Sequence, residues 1–158
     1  MPSETITVIM KKVLIKNQDR CQGFSLIEVL ITFIVLSVGL LGLAALHATG
    51  LKNNQSAYWR SQATILGYSI IDSMRANRTA ARDGDYNLTL TANPSSGSTI
   101  AANDLLAWIQ ALSTSLPAGD GAIACDLNTA VCRIDVQWDD SMGEGGSSTQ
   151  QFAITTQL

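Results

Sequence analysis

From Phe24 to Ala48 the chain reads FSLIEVLITFIVLSVGLLGLAALHA, and this stretch decides the architecture. As a helix rising about 1.5 Å per residue it covers roughly 37 Å, enough to cross a hydrocarbon core about 30 Å thick. Glu28 is its one charged residue, and Val29 to Leu46 carries no charge. Lys11, Lys12, Lys16 and Arg20 lie before it and Lys52 after it. The basic N-terminal side places that end in the cytoplasm, and everything after Lys52 then lies across the membrane. A cleaved secretory signal has a shorter apolar stretch, about 7–15 residues, followed by a small-residue site that is missing here. A plain anchor fits the length but leaves Glu28 unexplained. Either the carboxylate is solvated near the interface, or it has a partner or a purpose at membrane depth.

Charge and composition narrow the rest. The chain has 158 residues, enough for one modest domain, and a net charge of −3. Residues 1–23 carry +2, so the remainder carries −5. An acidic head offers no electrostatic footing for DNA or RNA, and nucleic acid is excluded as the main partner. At 46% hydrophobic residues and three cysteines, the chain is neither a disordered tail nor a disulfide scaffold.

Gly23-Phe24-Ser25-Leu26-Ile27-Glu28-Val29-Leu30, after a short basic segment, closely resembles the processing site of type IV prepilins and pseudopilins. The match covers the Gly, the aromatic after it, the Ser, the Glu five positions into the mature chain and the long apolar continuation. The resemblance implies cleavage by the membrane prepilin peptidase between Gly23 and Phe24, then N-methylation of Phe24. It also implies that Glu28 pairs with the terminal amine of a neighbouring subunit and sets its axial register. The physics agrees. Gly23 lets a protease approach the backbone closely, and an amine and a carboxylate held in low dielectric each need the other. Residues 1–9 include Glu4 and the β-branched run Thr5-Ile6-Thr7-Val8, so a start at Met10, before Lys11-Lys12, gives a more ordinary basic leader.

The helix is expected to continue past the bilayer. Trp59, Ala63, Leu66, Ile70 and Met74 form one apolar stripe of a 3.6-residue period, with Arg60, Asp72 and Arg75 off it. One helix from Phe24 to about Arg78 would then run roughly 80 Å. Gly39, Gly42, Gly50 and Gly67 each weaken it by about 1 kcal/mol relative to Ala. Gly39 and Gly42 make a small-residue face for close helix contact, or are simply tolerated in a membrane helix. His47, at the exit, reads as interfacial and not as a ligand.

Beyond Arg82 the pattern changes to short elements. Asp83-Gly84-Asp85-Tyr86-Asn87 opens like a calcium loop, but its sixth and twelfth positions are Leu88 and Pro94, so it is a turn. Residues 93–99 form an exposed loop. A short helix follows, with Asn103 as its cap and Leu105, Trp108, Ile109, Leu112 and Leu116 on one face. Residues 117–121 end it. Gly121 to Cys125 is expected as a strand. Cys132, Ile134, Val136 and Trp138 alternate with polar residues in a second, and Phe152, Ile154 and Thr156 in a third.

Cys21 falls in the leader. Cys125 and Cys132 remain as an even pair beyond the membrane and flank a short connection, where a disulfide would staple one hairpin. A free or metal-binding pair is the alternative, although two cysteines fall short of the four ligands of structural zinc. No catalytic triad frame, phosphate loop or metal cluster is present in the sequence, and no cofactor or enzymatic activity is expected. Asp139-Asp140 and the other acids read as solvated surface.

Further segments resemble a family of minor type IV pilins. They are Gly39-Leu40-Leu41-Gly42-Leu43-Ala44, Arg60-Ser61-Gln62-Ala63, Ser73-Met74-Arg75-Ala76-Asn77-Arg78, Gly84-Asp85-Tyr86, Leu116-Pro117-Ala118-Gly119 and Val136-Gln137-Trp138. The family's Leu-Pro-Gly-Gly stands here as Leu-Pro-Ala-Gly. The resemblance implies an α+β, pilin-like fold with a leader at 1–23, a membrane and assembly segment at 24–48, an amphipathic helix at 49–82 and a head at 83–158. It implies an inner-membrane subunit with cytoplasmic N-terminus and periplasmic head, later entering the pilus. Its partners would be the peptidase, other minor and major pilins, the inner-membrane assembly platform and a tip adhesin, with twitching motility and attachment as consequences. A minor pseudopilin of type II secretion shares the same plan. A membrane-tethered periplasmic binding module is the rival from another class.

Overall fold

The computed structural model describes residues 23–158. Met10, Cys21 and the leader up to residue 22 lie outside the described residues. Residues up to Leu43 belong to one compact unit, and Ala44–Leu158 form another. The elements are α1 (Leu26–Ala76), α2 (Arg78–Arg82), α3 (Ile100–Ser115), β1 (Asp120–Asp126), β2 (Val131–Trp138) and β3 (Gln150–Gln157). A long apolar N-terminal helix with a small antiparallel sheet makes an α+β chain, consistent with the pilin-like fold.

In the first unit α1 is apolar around its circumference apart from Glu28 in its first turn. Its most hydrophobic window has a mean hydropathy of 2.7, and none of that window is buried, so by length and composition the helix can cross a membrane. The hydroxyls in this segment are satisfied internally. Thr32 Oγ1 donates to the Glu28 carbonyl at 2.7 Å and Ser37 Oγ to that of Phe33 at 2.6 Å. This bonding to the preceding turn suits a segment where no water is at hand.

In the second unit the expected stripe is the buried face of α1. Ala63, Ile70 and Met74 are buried, with Trp59 and Leu66 packed against them, and Gly67 and Ile71 complete the face. The helix was expected to reach about Arg78 but stops at Ala76. Asn77 leaves helical geometry, at φ −116° and ψ 51°, and the five-residue α2 follows it. Asp83–Tyr86 is a turn, with Gly84 at φ +90°, a conformation that glycine adopts without the steric cost of a Cβ.

The cap of α3 is corrected. Thr99, in extended conformation, accepts from the Ala102 N–H at 3.2 Å and starts the helix at Ile100. Asn103 lies one turn inside, and its side chain donates back to the Gly97 and Thr99 carbonyls. Ile100 is two-thirds exposed and off the apolar face, so periodicity alone placed the start too late.

The sheet has the order β1-β2-β3, antiparallel throughout. Its registers include Ile123↔Ile134 and Ile134↔Ile154. Cys132, Ile134, Val136 and Trp138 are buried in alternation, as a half-buried strand requires. Leu105, Trp108, Leu112 and Leu116 of the α3 segment join the same core. The Trp108 Nε1–H donates to the Leu66 carbonyl at 3.0 Å, which pins α3 to α1. Gly121 allows β1 to pack closely on α3, since a Cβ there would fall against the Trp108 ring and 2.8 Å from Leu112 Cδ1.

Candidate functional site

The N-terminal site is built from the point where helix geometry begins. Gly23, Phe24 and Ser25 precede α1 in irregular backbone, so the Gly23–Phe24 peptide bond is not held in a helical ladder. A Cβ placed on Gly23 would meet nothing within 4 Å. An exposed, non-helical peptide bond beside a glycine is what a protease needs to draw into its cleft. Phe24 is 82% exposed.

The first turn places Glu28. The Ser25 carbonyl accepts the Glu28 N–H at 3.0 Å and the Val29 N–H at 3.2 Å. A carboxylate in the first turn meets the positive end of the helix dipole, worth about 0.3–1 kcal/mol at an exposed site. Phe24, Glu28, Thr32 and Leu36 recur every fourth residue, and with Val29 and Phe33 they border a shallow groove of about 320 Å³. Glu28 is the one charged group on that groove. The salt bridges among the described residues are Arg75–Asp72 and Arg133–Asp135, and neither involves it. The arrangement presents a single carboxylate among apolar side chains on one face of the helix.

Cys125 and Cys132 form a disulfide, with Cα atoms 4.0 Å apart at directly opposed positions of β1 and β2. It staples the hairpin whose loop is Leu127–Ala130, and the alternative of a free or metal-binding pair falls away. His47 is exposed. Among the described residues no group of three or more His, Cys, Asp or Glu side chains is placed to hold a metal ion.

Two polar clusters of the head were not legible as such. Tyr86 is fully buried, donates to Asp104 Oδ2 at 2.5 Å and accepts from Asn77 Nδ2 at 3.4 Å. Burial, then the bond to Asp104, pushes its phenol from 10.0 up to about 12. The cluster joins the end of α1, the following turn and α3. Asp140 overturns an expectation. It is not solvated surface but 1% exposed, because Ser56 of α1 reaches its Oδ2 and the loop after β2 folds over it. Asp139 beside it is partly exposed, its Oδ1 accepting from the Ser141 N–H at 2.8 Å. A run of two acids before a glycine-rich loop carries no local sign that one will point inward.

Comparison with known proteins adds one match. Residues 18–44 fit the family model described as the prokaryotic N-terminal methylation motif. This is a type IV pilin-like leader, and it supports a pilin- or pseudopilin-like chain. No curated protein and no solved structure matches the chain.

Proposed function

We propose that the chain is a minor type IV pilin resembling PilV, the type IV pilus modification protein. The observation that carries its pilin-like part is the methylation motif over residues 18–44, whose apolar half is the start of α1, a helix long and apolar enough to cross a membrane. Prepilin peptidase cuts between Gly23 and Phe24 on the cytoplasmic side and methylates the new amine of Phe24. The mature subunit stays in the inner membrane with its head in the periplasm, where the Cys125–Cys132 bond persists. It then joins other minor pilins, and a tip adhesin, to prime assembly by the inner-membrane platform. Twitching motility and surface attachment depend on it through the pilus. The subunit is structural, not catalytic.

The isolated carboxylate of Glu28 supports its assembly role. A charge on an apolar helix face is costly in lipid unless a partner is supplied, and the methylated amine of Phe24 on a neighbouring subunit is such a partner. The short disulfide loop favours a minor pilin over a major one, whose disulfide usually closes a large C-terminal loop. A minor pseudopilin of type II secretion is the second possibility, favoured by the same leader and small head.

Intact mass from membranes of cells with and without the prepilin peptidase tests the proposal. Loss of residues 1–23 plus gain of one methyl group, only with the peptidase present, is the expected result. An unchanged mass in both strains would leave a simple membrane-tethered module. Deletion then separates the systems, since loss of pili marks a pilin and loss of secreted enzymes a pseudopilin.

A further inference from the structure

β3 is an edge strand, and its two backbone sides have different fates. The Leu158 N–H donates to the Ala130 carbonyl at 2.9 Å, one position beyond the Val131↔Gln157 pair. In an antiparallel ladder hydrogen-bonded and non-bonded pairs alternate. Thr156, Ile154, Phe152 and Gln150 therefore exchange their bonds with β2. Gln157, Thr155, Ala153 and Gln151 turn their N–H and C=O groups outward. The other edge gives the same phase, because Ile123 of β1 turns away from β2 and exchanges bonds with Leu88 at 2.8 and 2.9 Å. Among the described residues no backbone hydrogen bond from outside the sheet reaches the four outward residues of β3.

Natural sheets blunt such edges with charge, proline, bulges or a covering segment. β1 has its bridge to Leu88. β3, Gln-Gln-Phe-Ala-Ile-Thr-Thr-Gln, has no charge and no proline, and it pairs without a bulge along its whole length. Beside this edge lies uncovered aromatic surface. Arg75 Nη2 donates to Thr156 Oγ1 at 3.3 Å, so the face of α1 that carries Arg75 borders β3. Tyr68, seven residues earlier on the same face, is 52% exposed.

We propose that the outer edge of β3 accepts an extended strand from a different protein, adding a fourth strand to the sheet. The incoming segment is uncharged over about four residues and alternates apolar with polar side chains. Its apolar side chains lie over Tyr68 and its polar ones beside Gln151, Ala153 and Thr155. A second copy of this chain is a poor occupant. Phe152 and Ile154 lie over Gly67 and Thr156 meets Arg75, so β3 runs in the same sense as α1. Antiparallel pairing of two β3 edges would therefore run their α1 helices in opposite directions, against a shared bilayer. Parallel pairing about an axis along the strands would reverse the faces and lay Gln151, Ala153 and Thr155 of the second copy, not its apolar side chains, on the Tyr68 side. Pairing of β3 with β1 of another copy meets the Leu88 bridge. This exclusion of a second copy rests on the membrane role proposed above for residues 24–48; the open edge does not.

The test is residue-resolved amide hydrogen exchange on the full chain in detergent micelles, with and without a short synthetic peptide of alternating Thr and Val. Exchange at Ala153 and Thr155 should slow about tenfold or more with the peptide, while Ile154, already bonded to β2, stays unchanged. Thr155→Pro removes an outward N–H without touching the β2 ladder, and should abolish the slowing at Ala153. If that variant fails to fold, Thr155→Lys, which guards the edge by charge, should weaken the effect instead. No slowing with the peptide overturns the proposal. So does slowing that grows with protein concentration in the absence of peptide, which would make a second copy the occupant. Neither result depends on cleavage at Gly23, so this proposal and the pilin assignment can fail separately.

Discussion

Ser56 on α1 donates a hydrogen bond to Oδ2 of Asp140 at 2.5 Å, across 84 residues of chain. The Asp140 N–H in turn donates to the Ser147 carbonyl, and its carbonyl accepts from the Gly143 N–H. One buried aspartate therefore ties the glycine-rich loop after β2, through its backbone, to the long helix, through its side chain. Removing the hydroxyl leaves that group without its side-chain partner, which costs about 1–3 kcal/mol. Ser56→Ala and Asp140→Ala should each destabilise the head by this order. Their double-mutant cycle, followed by denaturant unfolding in detergent, should show coupling of about 1 kcal/mol or more. Additive effects would mean that the bond contributes nothing.

Tyr86 sets an alkaline limit. Its folded pKa, about 12, lies above its ordinary 10.0, so the folded state holds the phenolic proton more tightly than the unfolded chain does. The resulting stabilisation is complete below pH 10 and is lost as pH rises through 12. Stability should fall across that window in wild type, and Tyr86→Phe should flatten the fall while costing about 1 kcal/mol at neutral pH. Unfolding curves at several alkaline pH values would check both.

The Cys125–Cys132 bond closes a small loop, with a sequence separation of 7. Loop-closure entropy for so short a ring stabilises by about 2–3 kcal/mol. Reduction, or the double change to Ser, should lower stability by that order and leave the sheet formed, since the hairpin is also held by seven paired positions. Circular dichroism with and without reductant reads both effects.

Gly121→Ala should destabilise by about 1–3 kcal/mol, because an added methyl overlaps the Trp108 ring and Leu112 at the contact of β1 with α3. At Gly67 the methyl would crowd only the tip of Ile154, a side chain that can turn aside, and would touch Phe152 at an ordinary 3.7 Å. Gly67→Ala should therefore be far milder, with gained helix propensity of about 1 kcal/mol offsetting the crowding. Thermal unfolding of the two variants side by side makes the comparison.

Glu28→Ala is expected to leave cleavage at Gly23 largely intact and to impair entry into the filament. Counting processed subunit in membranes against subunit in sheared pili separates the steps. Normal incorporation would remove Glu28 from assembly.

Much of the fold was legible because local pattern and tertiary role coincide. The apolar run after Phe24, the stripe from Trp59 to Met74 and the alternation from Cys132 to Trp138 each follow the period of their own element. Those periods report which face is buried whatever lies opposite. The N-terminal candidate site was legible for a related reason. The residues proposed for cleavage and assembly, Gly23, Phe24 and Glu28, lie within six residues of each other, so adjacency in sequence is adjacency in space.

The features that escaped depend on distant partners. Asp140 and Asp139 are the same residue type side by side, and only the approach of Ser56 decides which is buried. Thr99 escaped for a local reason instead, since the exposed Ile100 hid the first turn of α3 from the apolar stripe. Gly67 and Gly121 look like helix and strand weaknesses until Ile154 and Trp108 arrive against them. The open edge of β3 depends likewise on strand order. By itself the sequence determined the membrane-length helix, the leader motif and the three strands, because short-range periodicity and motif spacing are local properties. Tertiary structure alone decided which carboxyl group is buried and which sheet edge is free, because both depend on contacts between residues far apart in the chain.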